Sequence, residues 1–159
     1  MPARYPLPVQ EDLRDLLAEL LGREVTAVRS EQPVPAGGGA TGAYVTDDGR
    51  PAATVVCDLA FAARAAAAIT LVPPPAAEEA IAEGALTPNL RENLREVLNV
   101  MARLLNSAQT PHVRLQEVYP PGVEPPAEVA RLIAQPADRR SFDVEIAGYG
   151  PGRLTVAVA

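Results

Sequence analysis

Residues 90–106, LRENLREVLNVMARLLN, constrain the fold of this chain more than any other stretch. Leu90, Leu94, Val97, Leu98, Met101, Leu104 and Leu105 recur at steps of three and four, the spacing that gathers side chains on one face of an α-helix. Thr87-Pro88 ahead of it supplies an N-cap hydroxyl and a first-turn proline, and the predicted helix ends before Pro111. Rotation of about 100° per residue puts Glu92, Glu96, Asn99 and Arg103 on the side opposite the apolar face. Spacing alone leaves two readings of that side: a solvated face, or a small polar site carried on a rigid helix.

The rest of the chain supplies elements for that helix to pack on. Residues 1–8, with Pro2, Pro6 and Pro8, read as an extended lead-in. Leu13, Leu16, Leu17, Leu20 and Leu21 mark a first helix from about Val9, with Gly22 as its stop. Val25, Ala27 and Val28 suggest a short strand, and Pro33 through Gly37-Gly38-Gly39 a flexible loop. Asp47-Asp48-Gly49-Arg50 separates two β-prone runs, Ala43–Thr46 and Ala52–Cys57, the strongest hairpin signal present. Asp58 then caps a predicted helix over Leu59–Ile69, and Ala76–Glu83 forms a shorter one closed by Gly84. After the long helix, His112–Tyr119 reads as a strand and Val129, Leu132 and Ile133 as a helical turn. Phe142, Val144 and Ile146, then Leu154, Val156 and Val158, alternate with polar or small neighbours as two strands joined through Gly148–Gly152. Helix, strand, long connection and hairpin thus occur twice, so the expected architecture is α+β, with about six mostly antiparallel strands in two similar halves.

Composition excludes several function classes. The net charge is −6, and fourteen arginines, with no lysine, are scattered among twenty acidic residues. That is not the concentrated basic surface that binds nucleic acid. Residues 1–20 contain no basic segment leading into an apolar run, and no stretch is apolar enough to span a bilayer. The expectation is one domain over residues 1–159, soluble and cytoplasmic, bound to neither nucleic acid nor membrane. Cys57, the one cysteine, agrees with a reducing compartment.

No familiar catalytic set emerges. The one histidine, His112, and Cys57 lie on different predicted strands, which argues against a nucleophilic dyad and against a metal site. The glycine run is followed by neither Lys-Ser nor Lys-Thr and opens no helix, so it is not a phosphate loop. The acidic pairs Glu78-Glu79 and Asp47-Asp48 point apart on a helix or solvate themselves in a turn.

The long helix, with the elements around it, resembles the CheC/CheX family of chemotaxis phosphatases, which dephosphorylate the response regulator CheY. The signature of that family is Glu-x-x-Asn on an exposed helix, here Glu96-Val97-Leu98-Asn99. The element order is similar to the single-motif CheX type over essentially the whole chain. The resemblance implies a CheC/CheX-like domain that binds a phosphorylated CheY-like response regulator and hydrolyses its phosphoaspartate. Asn99 would orient the attacking water and Glu96 would pair with the regulator's lysine. The Mg²⁺ of the reaction would be the regulator's, with no cofactor held by this chain. Glu92 stands where the family favours Asp or Ser, and Arg103 where it commonly has a small residue. As partner-facing groups, these either obstruct docking or contact an acidic partner. The first helix has Glu19 but Gly22 where a second motif would need Asn. The alternative is a non-catalytic interaction module on the same fold. The resemblance further implies a homodimer, with Leu154–Val158 as a candidate exposed edge.

Overall fold

The computed structural model describes residues 4–159. Part of the expected lead-in, residues 1–3, lies outside the described residues. Residues 4–9 carry neither helix nor strand, but Tyr5 and Leu7 pack against the core and the Pro8 carbonyl accepts from Arg140 Nη1 at 3.0 Å.

Six strands form one sheet: β1 (Val25–Ser30), β2 (Gly39–Thr46), β3 (Pro51–Asp58), β4 (Val113–Tyr119), β5 (Asp138–Ile146) and β6 (Gly150–Val158). Their order is β1-β5-β6-β3-β2-β4, and each neighbouring pair is antiparallel. Exchanging β1 with β4, β2 with β5 and β3 with β6 returns the same order read backwards. The two halves expected from the repeated element order are therefore joined about a pseudo-twofold axis through the β3–β6 pair, where Val55 faces Val156.

This topology corrects one expectation. β6, with Leu154–Val158, lies inside the sheet between β5 and β3, and the free edges belong to β1 and β4. Alternation in sequence reports which faces are buried and is silent on whether a strand is flanked on both sides.

Helices α1 (Gln10–Leu21), α2 (Leu59–Ile69), α3 (Pro74–Glu83) and α4 (Pro88–Met101) gather on one face, while α5 (Ala127–Ala134) packs near β3 and β6. Leu13, Leu17, Phe61, Leu94 and Leu98 join Val55, Phe142 and Val156 in the main apolar core. The opposite face is poorer in large side chains: Thr54, Thr155 and Ser141 are buried there. The Val34 N–H, in the loop before β2, donates to Thr155 Oγ1 at 2.8 Å. The alanines of α2 let the helix sink fully into the structure, since seven of its eleven residues are buried.

Two further boundaries differ from expectation. α3 starts at Pro74, because prolines that end one helix are also well suited to the first turn of the next. The glycine run is not wholly loop: Gly39 opens β2 opposite Asp58, and a Cβ there would stand 1.9 Å from the Cys57 carbonyl oxygen. Close approach of two strand backbones, rather than flexibility, accounts for that glycine. Among the described residues no helix is long and apolar enough to cross a membrane.

Candidate functional site

α4 is fixed along its length by its cap and by contacts with α2 and β2. Thr87 Oγ1 accepts from Leu90 N–H at 3.2 Å, and Pro88 occupies the first turn, as the sequence indicated. Midway, Asn93 Nδ2 donates to the Ala66 carbonyl at 2.9 Å and to Thr70 Oγ1 at 2.8 Å, tying α4 to the end of α2. Beneath the helix, Gly42 on β2 leaves room for Leu98, whose Cδ1 would lie 3.1 Å from an added Cβ.

The C-terminal end departs from the predicted continuous helix. α4 stops at Met101 and tightens into a 3₁₀ turn over Ala102–Leu105, with Ala102 N–H bonded to the Asn99 carbonyl. The Leu98 carbonyl instead accepts the buried Tyr44 hydroxyl from β2. Burial pushes the Tyr44 phenol well above its ordinary range, which keeps it protonated as a donor. Asn106 closes the turn: Nδ2 donates to the Ala102 and Val113 carbonyls at 3.0 Å, and Oδ1 accepts from Val113 N–H at 2.8 Å.

On this scaffold Leu90, Leu94, Val97, Leu98, Met101 and Leu105 are buried, and Leu104 is half-buried. Glu92, Glu96, Asn99 and Arg103 are exposed, Arg103 on the 3₁₀ turn rather than on the helix proper. Among the described residues none of these four side chains has a hydrogen-bond or ion-pair partner within the chain.

The four residues do not form a single cluster. Glu96, Val100 and Arg103 face Leu16, Glu19 and Leu20 of α1 across a groove of about 370 Å³. Glu92 lines a different recess, of about 290 Å³, toward β4. There Arg95 bridges from α4 to Glu117 at 3.1 Å. Asn99 lines neither recess. Helical periodicity identified the exposed side, but which residues share a groove depends on the neighbouring helix and on the tightening after Met101. Glu19 was visible in sequence as a carboxylate on the first helix; its place opposite Glu96 was not.

Other sequence candidates separate. Cys57 is buried, and burial raises its thiol pKa, with Asp58 adding to the effect, so it is a poor nucleophile. His112 lies just outside β4 with Nδ1 3.8 Å from Asp47 Oδ1 at the exposed hairpin. Cys57 pairs with Ala40 at the other end of β2, so the two cannot form a dyad. Asp48 accepts from the Thr46 hydroxyl, which holds its carboxyl below the usual range, and Glu78 pairs with Arg64 at 2.9 Å. No cluster of three or more metal-ligating side chains occurs among the described residues.

No protein-family model matches this chain, and no curated protein matches it in sequence. Solved structures do match in shape. The FliM–SpeE complex from H. pylori aligns with TM-score 0.64 and 8% identity, covering 94% of this chain and 80% of that one. The FliM middle domain from Vibrio alginolyticus aligns with TM-score 0.58 and 11% identity, covering 94% and 88%. The CheX–CheY–BeF3–Mg²⁺ complex from Borrelia burgdorferi aligns with TM-score 0.51 and 9% identity, covering 91% and 90%. The chain has the CheC/CheX fold. In it, the expected α+β architecture is realised over 91–94% of the chain in all three comparisons, while identities of 8–11% carry the fold and not the activity.

Proposed function

We propose that this CheC/CheX-fold chain binds a phosphorylated CheY-like response regulator and hydrolyses its phosphoaspartate. The observation that carries the reading is the pair Glu96 and Asn99. They stand on consecutive turns of a helix pinned at both ends, exposed and without partners among the described residues. Polar side chains carried on a fixed helix yet unpaired are free to engage a partner without first breaking internal bonds.

The chemistry needs no nucleophile from this chain. Water attacks the phosphorus of the acyl phosphate, the bond from phosphorus to the aspartyl oxygen breaks, and inorganic phosphate and a free aspartate result. The Mg²⁺ and lysine of that reaction belong to the regulator, so much of the charge stabilisation is present before docking. Asn99 contributes position: its amide accepts from the water and donates to a phosphoryl oxygen, and it does not ionise. Glu96 pairs with the regulator's lysine and holds the docked geometry. Phosphate release from an activated regulator, followed with and without this protein, tests the reading; release that the protein leaves unchanged rejects it.

A second reading, a non-catalytic interaction module, is favoured by Arg103. Its guanidinium shares the groove with Glu96, and FliM structures are among the shape matches. That reading predicts a complex without faster dephosphorylation. Replacing Arg103→Gly separates the two: gain of phosphate release marks an arginine that obstructs an otherwise competent pair.

A further inference from the structure

Strand β2 holds one residue of α4 at two points. Leu98 is fully buried, and its Cδ1 packs against Gly42, where an added Cβ would stand 3.1 Å from it. Its carbonyl accepts the hydroxyl of Tyr44, two residues further along the same strand and also fully buried. The two contacts are neighbours, since Tyr44 Cε2 comes within 3.6 Å of that same Cβ position on Gly42. In a continuous α-helix the Leu98 carbonyl would accept from Ala102 N–H. Here Ala102 N–H turns to the Asn99 and Val100 carbonyls, and Tyr44 supplies a donor to Leu98 from outside the helix. A buried phenol hydroxyl needs a partner, and phenylalanine would fill the same space without that need. Packing accounts for the ring and leaves the hydroxyl to be explained by what it holds.

What it holds is the peptide plane that carries Asn99. The Leu98 carbonyl, the Asn99 N–H and the Asn99 Cα share one rigid plane, because the peptide bond does not rotate freely. Fixing that carbonyl from β2 fixes the tilt of the plane, and with it the direction in which the Asn99 Cα–Cβ bond leaves the helix. Gly42 acts on the same residue from its side-chain end, by giving Leu98 the depth to seat. The Asn99 side chain is exposed and has no partner among the described residues, so no side-chain bond fixes its bearing and the backbone must. We propose that Tyr44 and Gly42 are positioning residues for phosphoaspartate hydrolysis, holding Leu98 so that the Asn99 amide meets the attacking water in line. The inference rests on the function proposed above. Tyr44 and Gly42 are buried beneath α4 and act on the reacting groups only through Leu98 and Asn99.

The test is a kinetic cycle in the full chain. Its substrate is a receiver domain from the same genome, phosphorylated on its aspartate by acetyl phosphate, and circular dichroism shows each variant folded at the assay temperature. Tyr44→Phe lowers kcat for phosphate release by about tenfold, because small misplacements of an aligned water are costly. KM stays within about twofold, since no contact with the regulator is lost. In an Asn99→Ala background the same change costs nothing further, because the group it positions is gone. Gly42→Ala pushes on Leu98 and lowers kcat by about fivefold. Adding Leu98→Val, which conserves the total volume, restores most of that loss. Wild-type kcat in Tyr44→Phe, or a loss confined to KM, overturns the proposal. So does an equal loss in both backgrounds, because the hydroxyl would then serve stability alone. A Gly42→Ala loss that Leu98→Val leaves in place overturns the part assigned to Gly42. If Asn99→Ala slows release while Tyr44→Phe keeps it, only the positioning inference fails. If the wild-type protein leaves phosphate release unchanged, the functional reading fails and the positioning role with it.

Discussion

The hydroxyl of Tyr44 on β2 donates to the carbonyl of Leu98 on α4, and Leu98 immediately precedes Asn99. A buried sheet residue thereby takes up a carbonyl near the point where the helix tightens into its 3₁₀ turn. Replacing Tyr44→Phe removes that donor while keeping the ring. Leaving a buried acceptor unpaired costs about 1–3 kcal/mol, which denaturant unfolding will register. Amide exchange over Ala102–Leu105 should accelerate more than at the Thr87 end of α4.

The same phenol makes stability sensitive to alkali. Burial raises the Tyr44 pKa well above its ordinary value of 10.0, and burial, with Asp58 adding, raises Cys57 from 9.0. Both contributions are complete below those ordinary values. As pH climbs through 9 and then 10, the unfolded chain releases protons that the native chain keeps, so stability falls. The slope is about 1.4 kcal/mol per pH unit for each group. Urea midpoints measured across that interval should drop, and Tyr44→Phe should flatten the fall above pH 10 while lowering the neutral value.

Gly39 should tolerate no side chain. An added Cβ would lie 1.9 Å from the Cys57 carbonyl oxygen and 2.8 Å from the Asp58 backbone, so β2 and β3 would have to part. Gly39→Ala is expected to cost ~3 kcal/mol or more, in the range where backbone strain and lost pairing combine. Gly37→Ala, in the preceding turn, meets no atom within 4 Å and carries only the cost of its positive φ of 81. Comparing the two by thermal unfolding separates close approach from turn conformation.

Much of this architecture was legible because local and tertiary signals agree. Thr87-Pro88, Asp58 and Gly22 mark helix ends by capping chemistry that acts over three or four residues, and each lies where the sequence placed it. The Asp-Gly hairpin likewise has a local cause. Less legible were features set by distant partners. Where α4 ends at Met101, the Leu98 carbonyl is taken up by Tyr44, 54 residues before Leu98 in the chain. The interior position of β6 depends on which strands flank it. Glu96, Asn99, Glu92 and Arg103 were correctly read as one exposed side. The separation of Glu96 and Arg103 from Glu92 is set by α1 on one flank and β4 on the other, which no helical wheel contains.

The most direct measurement of the central claim separates docking from chemistry in single-residue variants. With an activated regulator as substrate, Asn99→Ala should lower kcat for phosphate release by roughly 100-fold while leaving regulator affinity near the wild-type value, because an unpositioned water forfeits alignment rather than binding. Glu96→Ala should chiefly weaken affinity and raise KM. An Asn99→Ala protein that releases phosphate as fast as the wild type contradicts the account.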